Sequence, residues 1–530
     1  MSANLTNVLA TASGISTHVL VFRVGEWDVV SHFVLIFYLF RVPIFEAVKF
    51  AGCHIFGLYL SILVYRVFYH RLSKYPGPFL ARLTNFYITK RSIKKLHLFE
   101  EIRKLHEEYG DYVRVGPSEL SIADPEAVLA IHGYQSPTTK GPWYTLLEPR
   151  APLNMIRDKE EHARRRKVWD QGFSTKALLG YDPRITIAIS QLLNVINKQR
   201  SKPIDITKWF TFFTFDIMES LAFNKSSNML AGGNEGYALR SIRGEVYNLA
   251  FFSHLPWLLP FLKRIPLLNH SYLQFWAWVQ DQINERAKDD PDQPDIFSWL
   301  LEAYNKSAKT RKDRFDLHGD AHVIIIAGSD TVAAALTHVF FHLAHDPMLV
   351  RALQREFDAL PDLTSASLQT VNLLDAVINE TLRLHPPVPS GNQRVTPPEG
   401  LRIGNKFIPG NTIVQVPQYT VFRDPRVFDR PLEFIPDRWT TRPELINYRS
   451  AFIPFGSGPF GCIGKRLALI EIRRVVAEIV SRYDMKPAPE HNKEAFLDGK
   501  KDTHTLVSGP LHLIFVERVS LALPGASQAL

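Results

Sequence analysis

The chain has 530 residues, of which 46% are hydrophobic and 22% charged, values that exclude a disordered or fibrous protein. Lys and Arg number 62 against 53 Asp and Glu, giving a net charge of +9 without the long basic run or zinc-finger spacing typical of nucleic-acid binding. The only two cysteines, Cys53 and Cys462, exclude a disulfide framework.

The amino terminus contains two apolar stretches, at residues 29–40 and 50–65. The second extends to residue 69 if Arg66 reaches the interface, and then approaches the roughly 20 residues that span a bilayer. Positive charge follows it, which by the positive-inside rule places the rest of the chain in the cytosol. The alternative is an amphipathic hairpin buried against the next domain. Pairing of the two stretches as a re-entrant hairpin stays open.

The segment Tyr75-Pro76-Gly77-Pro78 follows, and its two prolines favour extended backbone. We place the domain boundary there. Residues 1–74 then form a membrane-anchor region, with 50–69 as the best transmembrane segment, and residues 75–530 form one large domain.

The large domain has the periodicity of a mainly helical protein. Apolar residues recur three and four apart in five segments, at residues 187–196, 209–223, 273–283, 321–343 and 368–384. Short β-branched or apolar runs predict strands at residues 112–115, 120–122, 401–403, 412–416 and 511–515. We therefore expect a mainly α fold with small β-sheets, and not a doubly wound dinucleotide-binding fold.

The most informative stretch is the glycine-rich loop from Phe455 to Arg466, which leads into a helical run. Its glycines let the backbone approach a flat object closely. The lone Cys462 lies at the start of the helix, where unpaired N–H groups and the helix dipole favour a thiolate. With no second cysteine or nearby histidine to complete a zinc site, the arrangement suits a single axial bond to haem iron.

Two other interpretations of this loop are open. Gly456, Gly458 and Gly461 match the dinucleotide fingerprint G-x-G-x-x-G, but Pro454 disfavours a central strand before them and no convincing βαβ unit surrounds them. The other alternative is a buried structural cysteine beside a glycine-rich turn.

Three further patterns lie on predicted helices. Glu380 and Arg383 share one helical face, although such pairs are common on exposed helices and then contribute little. Residues 327–331 contain Gly328 and Thr331, whose hydroxyl would bond back to the preceding turn and open the helix locally; the alternative is a polar stripe touching solvent. His162 and Arg166 also share a helical face, where they could bind an anionic group; the alternative is that both are solvated charges.

Together these motifs resemble the cytochrome P450 family. The loop matches the haem-binding signature of the family at Phe455, Gly458, Cys462 and Gly464, but has Phe460 where the family usually has a propionate-binding arginine. The residues around Glu380, Arg423, Phe434 and Arg438 follow in the family's order. The resemblance covers about residues 75–518 and is greatest to fungal enzymes that tailor terpenoids, alkaloids and other secondary metabolites.

The resemblance implies a fold with haem between the long oxygen-activation helix and the helix after the cysteine loop. It also implies roles for particular residues: Cys462 as iron ligand, Phe455, Gly456 and Gly464 around the cofactor, His162, Arg166 and Arg394 as propionate partners, Thr331 and Asp330 as proton relay, and Glu380, Arg383 and Arg438 as a buried structural network.

The implied function is a membrane-bound haem-thiolate monooxygenase that uses O2 to oxidise, most simply to hydroxylate, a lipophilic small molecule. Electrons would come from a separate NADPH-dependent reductase in the same membrane, that of the endoplasmic reticulum. The reductase would dock on a basic face made of residues 164–167, Lys465, Arg466, Arg473 and Arg474. No nucleic-acid partner is expected. A haem-thiolate isomerase and a non-catalytic haem sensor are the alternatives.

Overall fold

The computed structural model describes residues 3–22, 44–266, 269–289 and 291–518. Helices dominate this part of the chain, as the periodicity predicts. They are α1 Ala3–Thr17, α2 Ile44–Val64, α3 Phe79–Leu83, α4 Phe86–Lys95, α5 Leu98–Tyr109, α6 Pro125–His132, α7 Lys159–Gly172, α8 Thr175–Lys198, α9 Ile206–Phe223, α10 Met229–Gly232, α11 Tyr237–Phe252, α12 Leu258–Leu262, α13 His270–Arg286, α14 Ile296–Lys306, α15 Arg311–Ala344, α16 Pro347–Asp358, α17 Ser365–Leu368, α18 Asn372–Leu384, α19 Gln418–Val421, α20 Lys465–Val480 and α21 Lys493–Asp498.

The strands are short, and the predicted ones lie where they were expected. They are β1 Tyr112–Gly116, β2 Glu119–Ile122, β3 Thr139–Lys140, β4 Pro203–Asp205, β5 Arg394–Val395, β6 Leu401–Ile403, β7 Lys406–Ile408, β8 Ile413–Gln415, β9 Tyr483–Pro487, β10 Lys501–Thr503, β11 Thr505–Val507 and β12 His512–Glu517. The largest sheet has the order β1-β2-β8-β5-β3, in which only β2 and β8 are parallel. A three-stranded sheet has the order β4-β12-β9, and two hairpins complete the set. The prediction of a mainly α protein with small sheets is confirmed.

Helix α15 forms the centre of the core. It packs against α9, α13, α18 and α20, and the side chains of Leu336, Val339 and Phe340 are completely buried. The rings of Phe210 and Phe340, from α9 and α15, lie 5.0 Å apart. Its length and hydropathy would suffice to cross a membrane, but 72% of its most apolar window is buried inside the protein. This helix is therefore a core element that positions the site.

The segment Ala51–Tyr69 is also long and apolar enough to cross a membrane, and only 11% of its window is buried. It comprises most of α2 and a π-helical turn, Tyr65–Tyr69. Helix α1 packs closely against α2, since a Cβ on Gly14 would lie 2.0 Å from the carbonyl oxygen of His54. The earlier apolar stretch, residues 29–40, lies outside the described residues.

The residues around the predicted boundary at residue 75 contact the large domain. Leu72 and Tyr75 are buried in a cluster with Tyr112 and Leu120 of the main sheet. The Arg71 guanidinium donates to the carbonyl oxygen of Asn411 at 2.6 Å. Apolar side chains just before the two prolines therefore pack on the main sheet.

Three histidines form a cluster at the C-terminal end of α15, with His338 and His342 on the helix and His385 directly after α18. The rings of His338 and His385 stack with centroids 4.1 Å apart, and Nε2 of His342 lies 3.0 Å from Nε2 of His385. Burial lowers the pKa of His338 to about 3 and holds the pKa values of His342 and His385 well below their usual range. These side chains are therefore neutral in the folded protein at pH 7.

We expect acid to destabilise the fold through this cluster. The folded-state pKa values are depressed, so the unfolded chain binds more protons below its histidine pKa of 6.5. Their stabilisation is complete above pH 6.5 and is lost as the pH falls toward 3, by about 2 kcal/mol for one such histidine at pH 5. Thermal unfolding followed by near-UV circular dichroism at pH 7.5, 6 and 5 measures the effect. A His338→Gln variant should lose part of this pH dependence; an unchanged slope would contradict the assignment.

Candidate functional site

The loop around Cys462 is held by contacts that its glycines permit. Gly456 and Gly458 have φ values of +69° and +66°, a region that favours glycine. A Cβ on Gly458 would also lie 2.7 Å from the carbonyl oxygens of His132 and Gly133. The Cys462 N–H donates to the carbonyl oxygen of Phe455 at 2.8 Å. The loop thereby places Cys462 just before the first turn of α20.

The accessible surface of Cys462 faces an internal cavity of about 370 Å³. Burial raises the pKa of its thiol, while the main-chain N–H groups of Gly464 and Lys465 lower it. A coordinated metal replaces the thiol proton outright, so this environment suits a metal ligand. The described residues contain no group of three or more His, Cys, Asp or Glu side chains placed to hold a metal ion. The sulfur of Cys462 is therefore suited to be a single protein ligand of a metal in the cavity.

Helix α15 forms another part of the cavity wall. Thr331 lines it, and the Thr331 hydroxyl donates to the carbonyl oxygen of Ala327 at 2.8 Å. A Cβ on Gly328 would lie 2.5 Å from Cε of Met218, so glycine allows α9 to approach here. The helix continues without interruption through these residues. The expectation of a locally opened turn is therefore wrong, because the Thr331 hydroxyl bond forms within regular helix.

Asp330 does not line the cavity, although Thr331 does. Successive residues of an α-helix point roughly 100° apart, so two neighbours do not share a narrow face. Burial raises the pKa of the Asp330 carboxyl to about 6, with the Arg243 guanidinium acting in the opposite direction. The structure brings Cys462 and Thr331 to one cavity and leaves Asp330 on an adjacent face.

Basic side chains surround Phe460 at one edge of the cavity. The His162 ring meets the Phe460 ring edge to face at 4.8 Å, and the Arg394 guanidinium carbon lies 5.1 Å from its centroid. Burial lowers the pKa of His162 to about 3, helped by the positive charge of Lys140 and Arg166, so His162 is neutral. Arg166 donates to the carbonyl oxygen of Gly461 at 2.8 Å and pairs with Asp170 at 3.0 Å. Arg166 thus also holds the cysteine loop.

Lys140 belongs to the same group and was missed in the sequence. Its Nζ lies 4.6 Å from the centroid of Phe460, and only 3% of the residue is exposed. The departure from arginine at position 460 was the only available signal that another cation is needed. Nothing local to Lys140 marks it as part of a site.

These features fit a flat cofactor that bears a metal and carboxylates. Phe455, Gly456 and Gly464 all line the cavity beside Cys462. A Cβ on Gly464 would meet only Phe173 and the Cys462 sulfur, at 3.8 and 3.9 Å, so the backbone faces open space there. Haem has a planar ring, a metal that accepts one thiolate, and two carboxylates that suit the basic edge.

Glu380, Arg383 and Arg438 form a fully buried network that supports the loop. The Arg383 guanidinium donates to Glu380 through two bonds, at 2.8 and 2.9 Å, and Arg438 donates to Glu380 Oε1 at 3.0 Å. The Ile435 N–H and the Trp439 indole N–H also donate to this carboxylate. Helix α18 is thereby joined to the segment that precedes the cysteine loop.

Comparison with known proteins gives the same assignment. The sequence profile of the cytochrome P450 family matches residues 76–515. The chain belongs to the cytochrome P450 family. It is 50% identical to cytochrome P450 monooxygenase orf5 of Eupenicillium brefeldianum, over 89% of the chain and 96% of that protein. It is 44% identical to cytochrome P450 monooxygenase FCK2 of Fusarium pseudograminearum, over 96% and 97%. It is 36% identical to tryprostatin B 6-hydroxylase of Aspergillus fumigatus, over 90% of each.

Family membership confirms the predictions of a P450 fold and of a P450 monooxygenase similar to fungal enzymes of secondary metabolism. It implies haem bound through a cysteine thiolate, and a small-molecule substrate. The dinucleotide-fingerprint alternative for the cysteine loop is therefore wrong. Its three glycines serve the sharp turns and close approaches around Cys462 instead.

The basic face predicted for reductase docking is smaller in this P450 than the sequence indicates. Arg473 donates to both oxygens of Asp375, and Arg474 is buried and pairs with Asp182 at 2.8 Å. Arg165 is likewise buried, against Asp316 and Asp320. Intramolecular ion pairs therefore remove these three arginines from the predicted face, while Lys465 and Arg466 remain exposed.

Proposed function

We propose that this P450 is a membrane-anchored haem-thiolate monooxygenase that hydroxylates a lipophilic secondary metabolite. The observation that carries the proposal is that Cys462 and Thr331 line the same cavity. Bound there through Cys462, haem supplies the activation of O2 and the oxidation of substrate. The residues around it hold it, exclude water and deliver protons.

Thr331 is the proton donor in this proposal. Its hydroxyl donates to the carbonyl oxygen of Ala327, within the cavity wall. Rotation about χ1 would turn the same hydroxyl toward the cavity. Asp330, on the adjacent face, would exchange protons with bulk solvent at a pH near its raised pKa of about 6.

Replacing Thr331 by alanine is expected to slow product formation by about 10²-fold, since a positioned proton donor contributes at least this much. Thr331→Ser keeps the hydroxyl and should retain most of the rate. Product and NADPH consumption are measured together, because a lost proton donor lowers product per NADPH while haem binding stays unchanged. Equal product yield from the alanine variant and wild type would contradict the role of Thr331.

The lining of the cavity favours an uncharged lipophilic substrate. The His322 ring packs against the rings of Phe275 and Trp276, whose centroids are 5.5 and 5.2 Å away. Burial lowers the pKa of His322 to about 3, so the imidazole is neutral. Glu471 is the only acidic side chain among the described residues that line the cavity, and burial raises its pKa to about 8. An alkaloid, the substrate class that the relative named tryprostatin B 6-hydroxylase suggests, or a terpenoid, would suit this lining.

Electrons come from a separate NADPH-dependent reductase in this proposal, and turnover tests it directly. Purified protein in vesicles is incubated with substrate, with and without NADPH, reductase and O2. Product that needs all three supports a monooxygenase. Product formed without NADPH or reductase would contradict it and identify the isomerase instead, and haem binding without any product would favour the sensor.

The exposed part of the basic face is the docking site in this proposal. Lys465→Glu and Arg466→Glu should slow reduction by the reductase about tenfold at low salt, with a smaller difference at high salt. Lys202→Glu, an exposed lysine in the turn before β4, is the matched control and should reduce at the wild-type rate. If a variant that combines Lys465→Glu and Arg466→Glu is reduced at the wild-type rate at both low and high salt, docking at this face is contradicted.

We propose that residues 1–74 form the anchor region, with the segment 50–69 crossing the membrane of the endoplasmic reticulum. Exposed apolar side chains such as Phe56, Tyr59 and Phe68 support this placement. Arg66 lies in the last turn of the segment, and Arg71 and Lys74 follow it; this positive charge favours a catalytic domain in the cytosol.

A further inference from the structure

Two buried cations at the edge of the cavity have no acidic partner. Lys140 and Arg394 are 3% and 4% exposed. Lys140 Nζ donates to the carbonyl oxygens of Asn154 and Leu153, at 2.7 and 3.4 Å. Arg394 donates to the Tyr144 hydroxyl and to its neighbouring main-chain carbonyl. Within the described part of the chain, neither forms an ion pair. Buried charges are normally paired, so this arrangement is incomplete without an anion.

The fold places these two cations opposite each other. Lys140 on β3 and Arg394 on β5 are register partners in an antiparallel strand pair. Like charges directly opposite each other on neighbouring strands destabilise a sheet. Burial, together with the charge of Arg394, holds the pKa of Lys140 well below its usual range. Two carboxylates bound to the two side chains would offset this repulsion.

Phe460 lies against both cations. Lys140 Nζ is 4.6 Å and Arg394 Cζ is 5.1 Å from the centroid of its ring, distances at which a cation is attracted to an aromatic face. Phe460 is in the same loop as Cys462, two residues before it. Arg166, the remaining cation here, already has Asp170 as its partner.

We propose that Lys140 replaces, in this chain, the propionate-binding arginine for which Phe460 is substituted. Lys140 and Arg394 together bind the two haem carboxylates, and the Phe460 ring positions both cations. The charges match, two positive against two negative. This inference rests on the proposed function, because it needs haem in the cavity.

The test is the rate at which haem leaves the protein for excess apomyoglobin, measured by absorbance without substrate or turnover. Lys140→Met should lose haem about tenfold faster than wild type, the effect of one lost hydrogen bond to a charged group. Adding Phe460→Arg to Lys140→Met should restore the rate of haem loss to within about threefold of wild type, since the new guanidinium in the cysteine loop replaces the lost ammonium group. Lys202→Met, on an exposed lysine, should not change it.

Other outcomes have definite meanings. Haem loss from Lys140→Met at the wild-type rate, or a fast double variant that Phe460→Arg does not slow, would overturn the inference. If Lys140→Met does not fold, Lys140→Arg and Phe460→Leu serve instead. Lys140→Arg is expected to lose haem as slowly as wild type, and Phe460→Leu is expected to lose it faster. Fast haem loss from Lys140→Arg together with slow loss from Phe460→Leu would overturn the inference. Failure of the proposed function is distinguishable, because wild type would then lack a thiolate-ligated haem spectrum altogether.

Discussion

Replacing Cys462 by serine is expected to abolish the red-shifted Soret band of the reduced, carbon-monoxide-bound protein and all oxidation of substrate. The band reports a thiolate ligand, which the oxygen of a serine cannot supply. The described part of the chain offers no other cysteine beside the cavity, because Cys53 lies in α2 of the anchor region. The measurement is a difference spectrum of dithionite-reduced membranes with and without carbon monoxide.

Cys53→Ser is the matched control and should keep the full band. The fold of the Cys462→Ser variant is checked by circular dichroism, so that loss of the band reports ligation and not unfolding. A red-shifted band in Cys462→Ser would show that another group holds the iron. Wild type that binds haem but lacks the band would contradict a thiolate ligand in that state.

Replacing Glu380 by glutamine is expected to destabilise the catalytic domain by about 3–5 kcal/mol, the effect of breaking a buried ion network. The amide keeps the shape of the side chain but cannot balance the guanidinium groups of Arg383 and Arg438, which are both completely buried. Since Glu380 also accepts from the Ile435 N–H, the segment before the cysteine loop should loosen as well. Urea unfolding and the yield of haem-loaded protein measure both effects.

Glu433→Gln is a close control, because Arg430 and Glu433 form an ion pair at the same three-residue spacing on the protein surface. Exposed pairs contribute little, so the control should unfold like wild type. Equal stability of Glu380→Gln and Glu433→Gln would contradict the structural role of the network. An Arg438→Met variant should behave like Glu380→Gln, since it leaves part of the same carboxylate unpaired.

Burial determined which of the predicted charged side chains lie at the protein surface and which lie in internal ion pairs. The spacing of Glu380 and Arg383 indicates one shared helical face, but it does not distinguish an exposed pair from the buried network. The basic run at residues 164–167 and the pair at residues 473–474 are equally visible in the sequence. Their ion pairs with Asp375, Asp182 and Asp320 join residues far apart in the chain, and no local pattern predicts such contacts.

The sequence by itself determined the fold class and the position of Cys462, because helical periodicity and a glycine-rich turn before a helix are local properties of the chain. It also determined the order of motifs that carries the family resemblance. Only the tertiary structure decided that Thr331 lines the cavity and Asp330 does not, and that Lys140 lies beside Phe460. Side-chain direction and the pairing of β3 with β5 come from long-range packing, which depends on the whole core rather than on neighbouring residues.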